Sequence, residues 1–168
     1  MPKSRSNRAK PKAKPKRQTG AVTQNRRAFH DYDILETVEA GLALTGTEIK
    51  SVRSGKMNIQ HAFAKAEDGE VWLVNSHIAP YEQGNIHNHE PTRPRKLLLH
   101  AREIGHLAGV TSQKGLTLVP LRVYIKGHYA KVQVGLARGR RLHDKRRAIL
   151  DRDQEREAGR AMRAASRG

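Results

Sequence analysis

A chain of 168 residues with 33 Lys or Arg against 16 Asp or Glu carries a formal charge of +17, which points to a polyanionic partner. It has no Cys, so disulfide frameworks and thiolate metal sites are excluded. No apolar run approaches the roughly 20 residues that span a bilayer, and no apolar segment follows the basic start as a secretory signal would require. A soluble, cytoplasmic monomer is the expectation.

The charge is uneven. Residues 1–24 hold 8 basic and no acidic residues, residues 25–135 hold 14 against 11, and residues 136–168 hold 11 against 5. The nearly balanced middle can fold as an ordinary domain, while the ends supply the footprint of a nucleic-acid binder. An anionic membrane fits less well, because neither end has a continuous apolar face to insert. Three parts follow: a disordered basic N-terminal tail at 1–24, an RNA-binding barrel at 25–135, and a basic C-terminal tail at 136–168. Lys, Arg, Pro, Ser and Ala dominate the first part and bury too little apolar surface to offset ordering entropy.

Order is expected from Asn25. Tyr32 to Gly41 mixes β-branched and aromatic residues in loose alternation and reads as a strand. A short strand or bend at Leu42 to Gly46 leads into a helix over Glu48 to Arg53, with Thr47 as N-cap and Gly55 past its end. Asp68-Gly69 is a two-residue hairpin turn between strands at Ala62 to Glu67 and Glu70 to Ile78. Tyr81 to Pro94, rich in Gly, Asn and Pro, reads as a loop that delivers Arg93, Arg95 and Lys96 to Leu97. His100 to Val110 has the Ile104/Leu107 spacing of a helix. Strands at Leu116 to Ile125 and Ala130 to Val134 complete the domain, and Pro120 demands an edge or a bulge. The tally is mainly β: a small antiparallel OB-like β-barrel with about two flanking helices. One Trp, four Tyr and two Phe leave RNA binding resting more on charge than on a multi-base stacking platform.

Gly135 to Arg147 marks the transition to the tail, with six Arg or Lys among thirteen residues. Glycines at 135 and 139 would let a ligand approach the backbone. From Lys145 to Arg163 only Gly159 opposes a helix, and the apolar stripe is narrow, so the tail is expected to be disordered or helical on binding.

Five segments carry a resemblance to a known family: Asn25 to Ala28, Val38 to Leu42, Leu44 to Lys56, Asn88 to His100, and Leu136 to Gly139 continuing through Asp144 to Arg146. Over about Asn25 to Arg147 the chain resembles the SsrA-binding proteins, the small protein B partners of transfer-messenger RNA (tmRNA). The resemblance implies an OB-fold barrel that binds the tRNA-like domain of tmRNA and brings it to stalled ribosomes for trans-translation. The C-terminal tail would occupy the vacant decoding centre and mRNA channel, elongation factor Tu and GTP would act alongside, and no cofactor or catalysis would be involved. Carried over residue by residue, Asn25, Glu39 and Leu98 match RNA-binding positions, with Arg53 a further candidate. Lys131, Arg138, Arg140 and Arg141 complete the expected RNA-contacting set, while His143, Asp144, Lys145 and Arg146 match the decoding-centre segment. Beyond Asp153 the likeness is loose.

Each of these residues has a plainer reading. Without the resemblance Glu39 is a solvated strand-end carboxylate, Leu98 a core residue and His143 a solvated tail residue. His77, His87 and His89 could be sketched as a metal site, but His-x-His without a carboxylate partner is weak evidence. A general RNA-binding or ribosome-assembly barrel remains the alternative to a tmRNA partner. A metal-dependent nuclease lacks the clustered carboxylates that two-metal chemistry needs.

Overall fold

The computed structural model describes residues 22–113, 115–140 and 142–165. In chain order the elements are β1 (Thr23–Gln24), α1 (Arg26–Asp31), β2 (Tyr32–Leu42), α2 (Gly46–Arg53), β3 (Met57–Asn58), β4 (Phe63–Glu67), β5 (Glu70–Val74), β6 (His77–Ile78), β7 (Arg95–Leu98), α3 (Ala101–Thr111), β8 (Leu116–Lys126), β9 (Tyr129–Gly139) and α4 (Leu142–Ala165). The large sheet runs β1-β8-β4-β5-β7-β2-β9, every pairing is antiparallel, and β8 also pairs with β9. That last pairing closes six strands into a barrel, the expected OB-like architecture. The β2, β8 and β9 wall is long and continuous, whereas β4 meets β8 at the single rung Ala64↔Leu118.

Alternation does the rest. Ala40, Leu42, Val71, Leu73, Leu97, Leu118, Val123, Val132, Val134 and Leu136 all fall in one buried cluster, joined by Leu107 from α3. The residues between them on β2, β8 and β9 face outward, since strand side chains alternate between faces.

A second, smaller cluster lies under α1, where Ala28, Val119, Leu121 and Ala137 pack with Tyr32 and Ile34. Pro120 makes it possible. The β8–β9 register shifts between Pro120 and Arg122, so the bulge required by a proline in a central strand is present. Its carbonyls are then used by Asn25, whose amide donates to Leu121 O at 2.8 Å and whose Nδ2 donates to Pro120 O at 3.2 Å.

Several expectations change. Residues 23–24 pair with β8 and so belong to the barrel, while residues 1–21, the rest of the expected disordered tail, lie outside the described residues. At the other end β9 runs to Gly139, past the expected boundary at 135, because Leu136 and Ala137 are as buried as the strand before them. Gly135 makes room for packing rather than for a ligand: a Cβ there would lie 3.1 Å from Leu121 Cδ1 and 3.2 Å from Ile34 Cγ2. Three α-helices, α1, α2 and α3, precede the tail among the described residues, where about two flanking helices were expected. Thr45, not Thr47, caps α2, and its N–H donates to Glu48 Oε2 at 2.8 Å. The Asp68-Gly69 turn has positive φ at both residues (51° and 73°), as a type I′ turn requires, but the outgoing strand breaks at Asn75 (φ 58°) before β6. The segment expected to be disordered or helical on binding forms the continuous 24-residue helix α4, which passes through Gly159. Strong helix formers surround that glycine, and its penalty of about 1 kcal/mol is spread over a long helix.

Candidate nucleic-acid interface

The outward residues of the long wall form one surface. Glu39 on β2 lies opposite Gln133 on β9, which lies opposite Arg122 on β8. One rung along, Leu98 on β7 is opposite Gly41, Gly41 is opposite Lys131, and Lys131 is opposite Tyr124. The next rung pairs Lys126 with Tyr129 across the hairpin turn. Arg53 joins this end from α2, its Nη2 donating to His128 O at 3.3 Å.

Glu39 is the electrostatic centre of that surface. Its side chain is 41% exposed, with Lys126 Nζ at 3.6 Å and Lys131 Nζ at 3.7 Å. The Tyr124 hydroxyl donates to Oε2. That hydrogen bond, with the two lysines, outweighs the effect of partial burial and holds the Glu39 carboxyl below the usual carboxylate range. Burial, followed by the adjacent Glu39, pushes the Tyr124 phenol up to about 12. The tyrosine therefore stays protonated and donates. Arg122 stacks over the Tyr124 ring, its guanidinium carbon 5.5 Å from the centroid. Two lysines thus flank one ionised carboxylate, and with Arg53 and Arg122 nearby they leave the face positive.

Leu98 is on the surface, not in the core. It is 55% exposed while its neighbour Leu97 is buried, as alternation demands. Gly41 lets it lie low on the sheet, because a Cβ at position 41 would come 3.1 Å from Leu98 Cβ. Glu39, Arg53, Leu98 and Lys131 are therefore brought together. Tyr124, Lys126, Arg122 and Tyr129 belong to the same face and were not singled out from sequence; the period-two continuation from Lys131 and the opposing strand could have found them.

Asn25 is elsewhere. Its side chain is 2% exposed, and it is spent inside the protein. Oδ1 accepts from the Ala28 N–H at 3.1 Å, and Nδ2 donates to Ile59 O and Pro120 O, each at 3.2 Å. It caps α1 and ties it to the barrel, so it offers no free polar atom to a ligand.

Arg138 lies at the opposite end of β9, about 23 Å from Lys131 at the rise of a strand, and Arg140 follows just past that end. Arg138 is exposed, whereas Arg140 Nε donates to Asp33 Oδ1 at 2.6 Å and its amide donates to Asp31 O at 3.0 Å. These contacts fasten the chain immediately before α4. Arg141 lies outside the described residues, and so do the side chains of His143, Asp144, Lys145 and Arg146, whose backbone belongs to α4.

The loop arginines serve the fold. Arg95 and Glu48 are both 0% exposed, with Arg95 Nε donating to Glu48 Oε1 at 2.9 Å and Nη1 to Ser76 O and Oγ at 2.9 Å. Arg93 adds two hydrogen bonds to the same carboxylate, at 2.8 and 2.5 Å. Lys96 is paired with Glu70. His89 is likewise occupied, since Nε2 faces Ile78 O at 3.1 Å and must carry the proton, leaving Nδ1 to accept from Thr47 Oγ1 at 3.0 Å. Among the described residues no three His, Cys, Asp or Glu side chains are grouped as a metal site would need.

A closed antiparallel barrel with a cationic outer face and exposed side chains able to meet bases has the features of an RNA-binding β-barrel. The family model of the SmpB protein matches residues 22–164. An SsrA-binding protein of Carboxydothermus hydrogenoformans is 58% identical over 143 residues, covering 85% of this chain and 96% of that relative. One from Ligilactobacillus salivarius is 58% identical over 150 residues, covering 89% and 97%. A solved structure described as "tmRNA-SmpB: a journey to the center of the bacterial ribosome" contains a chain 55% identical to this one, with a TM-score of 0.62 over 76% of this chain and 93% of that one. The chain belongs to the SmpB family of SsrA-binding proteins.

Proposed function

We propose that this chain binds tmRNA and acts with it on the ribosome in trans-translation, the face around Glu39, Lys131 and Leu98 holding the tRNA-like domain. The observation that carries the reading is the convergence of four expected RNA-contacting positions, Glu39, Arg53, Leu98 and Lys131, from four different elements onto one positive surface. Cations neutralise phosphates and release counterions. The folded elbow of a tRNA-like domain is met by shape, 2′-hydroxyls and unpaired loop bases rather than by a groove code. The Glu39 carboxylate, kept ionised and oriented by Tyr124, suits a hydrogen bond from a ribose hydroxyl or a base amino group.

Asn25 supports this surface from a distance by seating α1. The barrel through Gly139 is the RNA-holding unit, and α4 with the residues after Arg140 is the arm that enters the decoding centre and mRNA channel. The protein works by binding rather than by catalysis, in the cytoplasm, with elongation factor Tu and GTP serving the bound RNA. No helix among the described residues is long and apolar enough to cross a membrane.

Sequencing the RNA that copurifies with the tagged protein tests the reading. One abundant RNA with a tRNA-like end supports it, whereas a broad ribosomal-RNA spectrum would replace it with a general ribosome-binding role. Removing residues 140–168 is expected to spare most RNA binding and to abolish rescue of stalled ribosomes in a translation assay.

A further inference from the structure

Tyr129 is 74% exposed, an unusual place for an aromatic ring on a rigid strand. It occupies the last rung of the β8–β9 hairpin, opposite Lys126, and the turn between them is Gly127-His128 with Gly127 at φ 63°. The backbone beneath the ring is fixed by cross-strand pairing while the ring itself lacks cover. Ala130 is buried, so alternation sends Tyr129 to the same outer face as Lys131. Arg53 reaches the adjoining turn through His128 O. An apolar ring is thus held at the rim of the positive face with cations beside it.

Another exposed aromatic patch contrasts with it. Phe63 and Trp72 line the outside of the β4–β5 hairpin with Val74 and Pro94, forming a broad, open apolar surface. The nearest cations there are already engaged, Lys65 by Glu67 and Lys96 by Glu70. That patch offers phosphate no surplus charge, whereas around Tyr129 two lysines share the single carboxylate of Glu39.

We propose that Tyr129 is a base-stacking position: its ring takes the flat face of one unpaired loop base of the bound RNA while Lys126 and Arg53 hold the flanking phosphates. The inference rests on the tmRNA-binding reading and deepens it. Stacking needs an aromatic plane and tolerates any base, and it releases no counterions. The ring and its neighbouring lysines should therefore leave different signatures in a salt titration.

The experiment measures the affinity of the full chain for a transcript of the tmRNA tRNA-like domain at several salt concentrations. Y129A is expected to bind about tenfold more weakly at every salt concentration, with an unchanged log–log slope. Y129F and Y129W should bind like the native chain, because the plane is kept. Y129L, apolar but not flat, should fall with Y129A. K126A should instead lower the slope by about one unit. Because Tyr129 is exposed, circular dichroism should show all of these variants folded. Native-like binding by Y129A overturns the inference, as does a Y129L that binds like the native chain or a Y129A defect that appears in the slope. If the native chain itself fails to bind the transcript, the functional reading falls and this inference falls with it.

Discussion

Glu48 and Glu39 are the same residue type in the same basic chain, and both carboxyls are held below their usual range, yet they do different work. Burial pushes Glu48 up, and Arg93, the Thr45 amide and Arg95 together override it. The result is a closed knot between α2 and β7 with both Glu48 and Arg95 at 0% exposure. Glu39 has lighter partners, Tyr124 and two lysines nearly 4 Å away, and keeps 41% of its side chain in water. A carboxylate whose every lone pair is claimed inside the protein maintains the fold. One that is oriented but still open can accept from a partner. The difference lies in what remains unsatisfied, not in the pKa.

Substitutions can break that contrast, and the largest effect belongs to the buried knot. Glu48→Ala leaves Arg95 charged, buried and short of its partner, a loss of about 3–5 kcal/mol that urea denaturation should resolve. Such a loss consumes much of the roughly 5–15 kcal/mol that stabilises a typical domain. RNA binding by this variant should fall only as far as the folded fraction falls. The pH dependence follows from the lowered Glu48 value. Its contribution is fully present above the unfolded carboxylate pKa of about 4.3 and is lost as pH falls through the lower folded value. Acid unfolding of the native chain should therefore be steeper below about pH 4.3 than that of Glu48→Gln.

Glu39→Gln should reverse the pattern, with stability within about 0.5 kcal/mol of native and affinity for the tRNA-like domain about tenfold lower, as expected when a charged acceptor is lost from an interface. Tyr124→Phe should weaken binding in the native background but add little to Glu39→Gln, because the hydroxyl acts through the carboxylate; a double-mutant cycle measures the coupling. Full additivity would show that Tyr124 contacts the RNA by itself. The smallest effect is expected for Asp33→Asn. It removes the partner of Arg140 at a half-exposed site and should cost no more than about 1 kcal/mol.

Much of the barrel was legible because alternation and turn chemistry are local. Asp68-Gly69 marked one hairpin, and Pro120 demanded an edge or a bulge, of which the shifted register shows the bulge. Element ends were less legible. Leu136 and Ala137 read as tail because a basic run follows them, but Leu136 packs into the barrel interior and Ala137 packs with Ala28 of α1 and with Tyr32 and Ile34, both long-range facts. The same limit applies to the site. Arg93 and Arg95 read only as cations that a loop delivers to Leu97 until α2, 45 and 47 residues upstream, supplies Glu48. Asn25 looks like a contact until the bulge carbonyl is found 95 residues downstream. Lys126 went unnoticed because the β8–β9 register is what brings it near Glu39, and Tyr129 because it lies at the hairpin end of the period-two run from Lys131.

The 11-residue strand β9 links the two functional ends of the molecule. Lys131 and Arg140 belong to one hydrogen-bonded backbone, paired with β2 along most of its length, so the RNA face and the root of α4 stand at a distance fixed by residue count. An insertion of one residue in β9 would lengthen that distance by about 3.3 Å and, because strands repeat every two residues, turn one end's outward side chains inward. The strand thus acts as a gauge between the cationic face and the root of α4, and its length is constrained as tightly as its sequence.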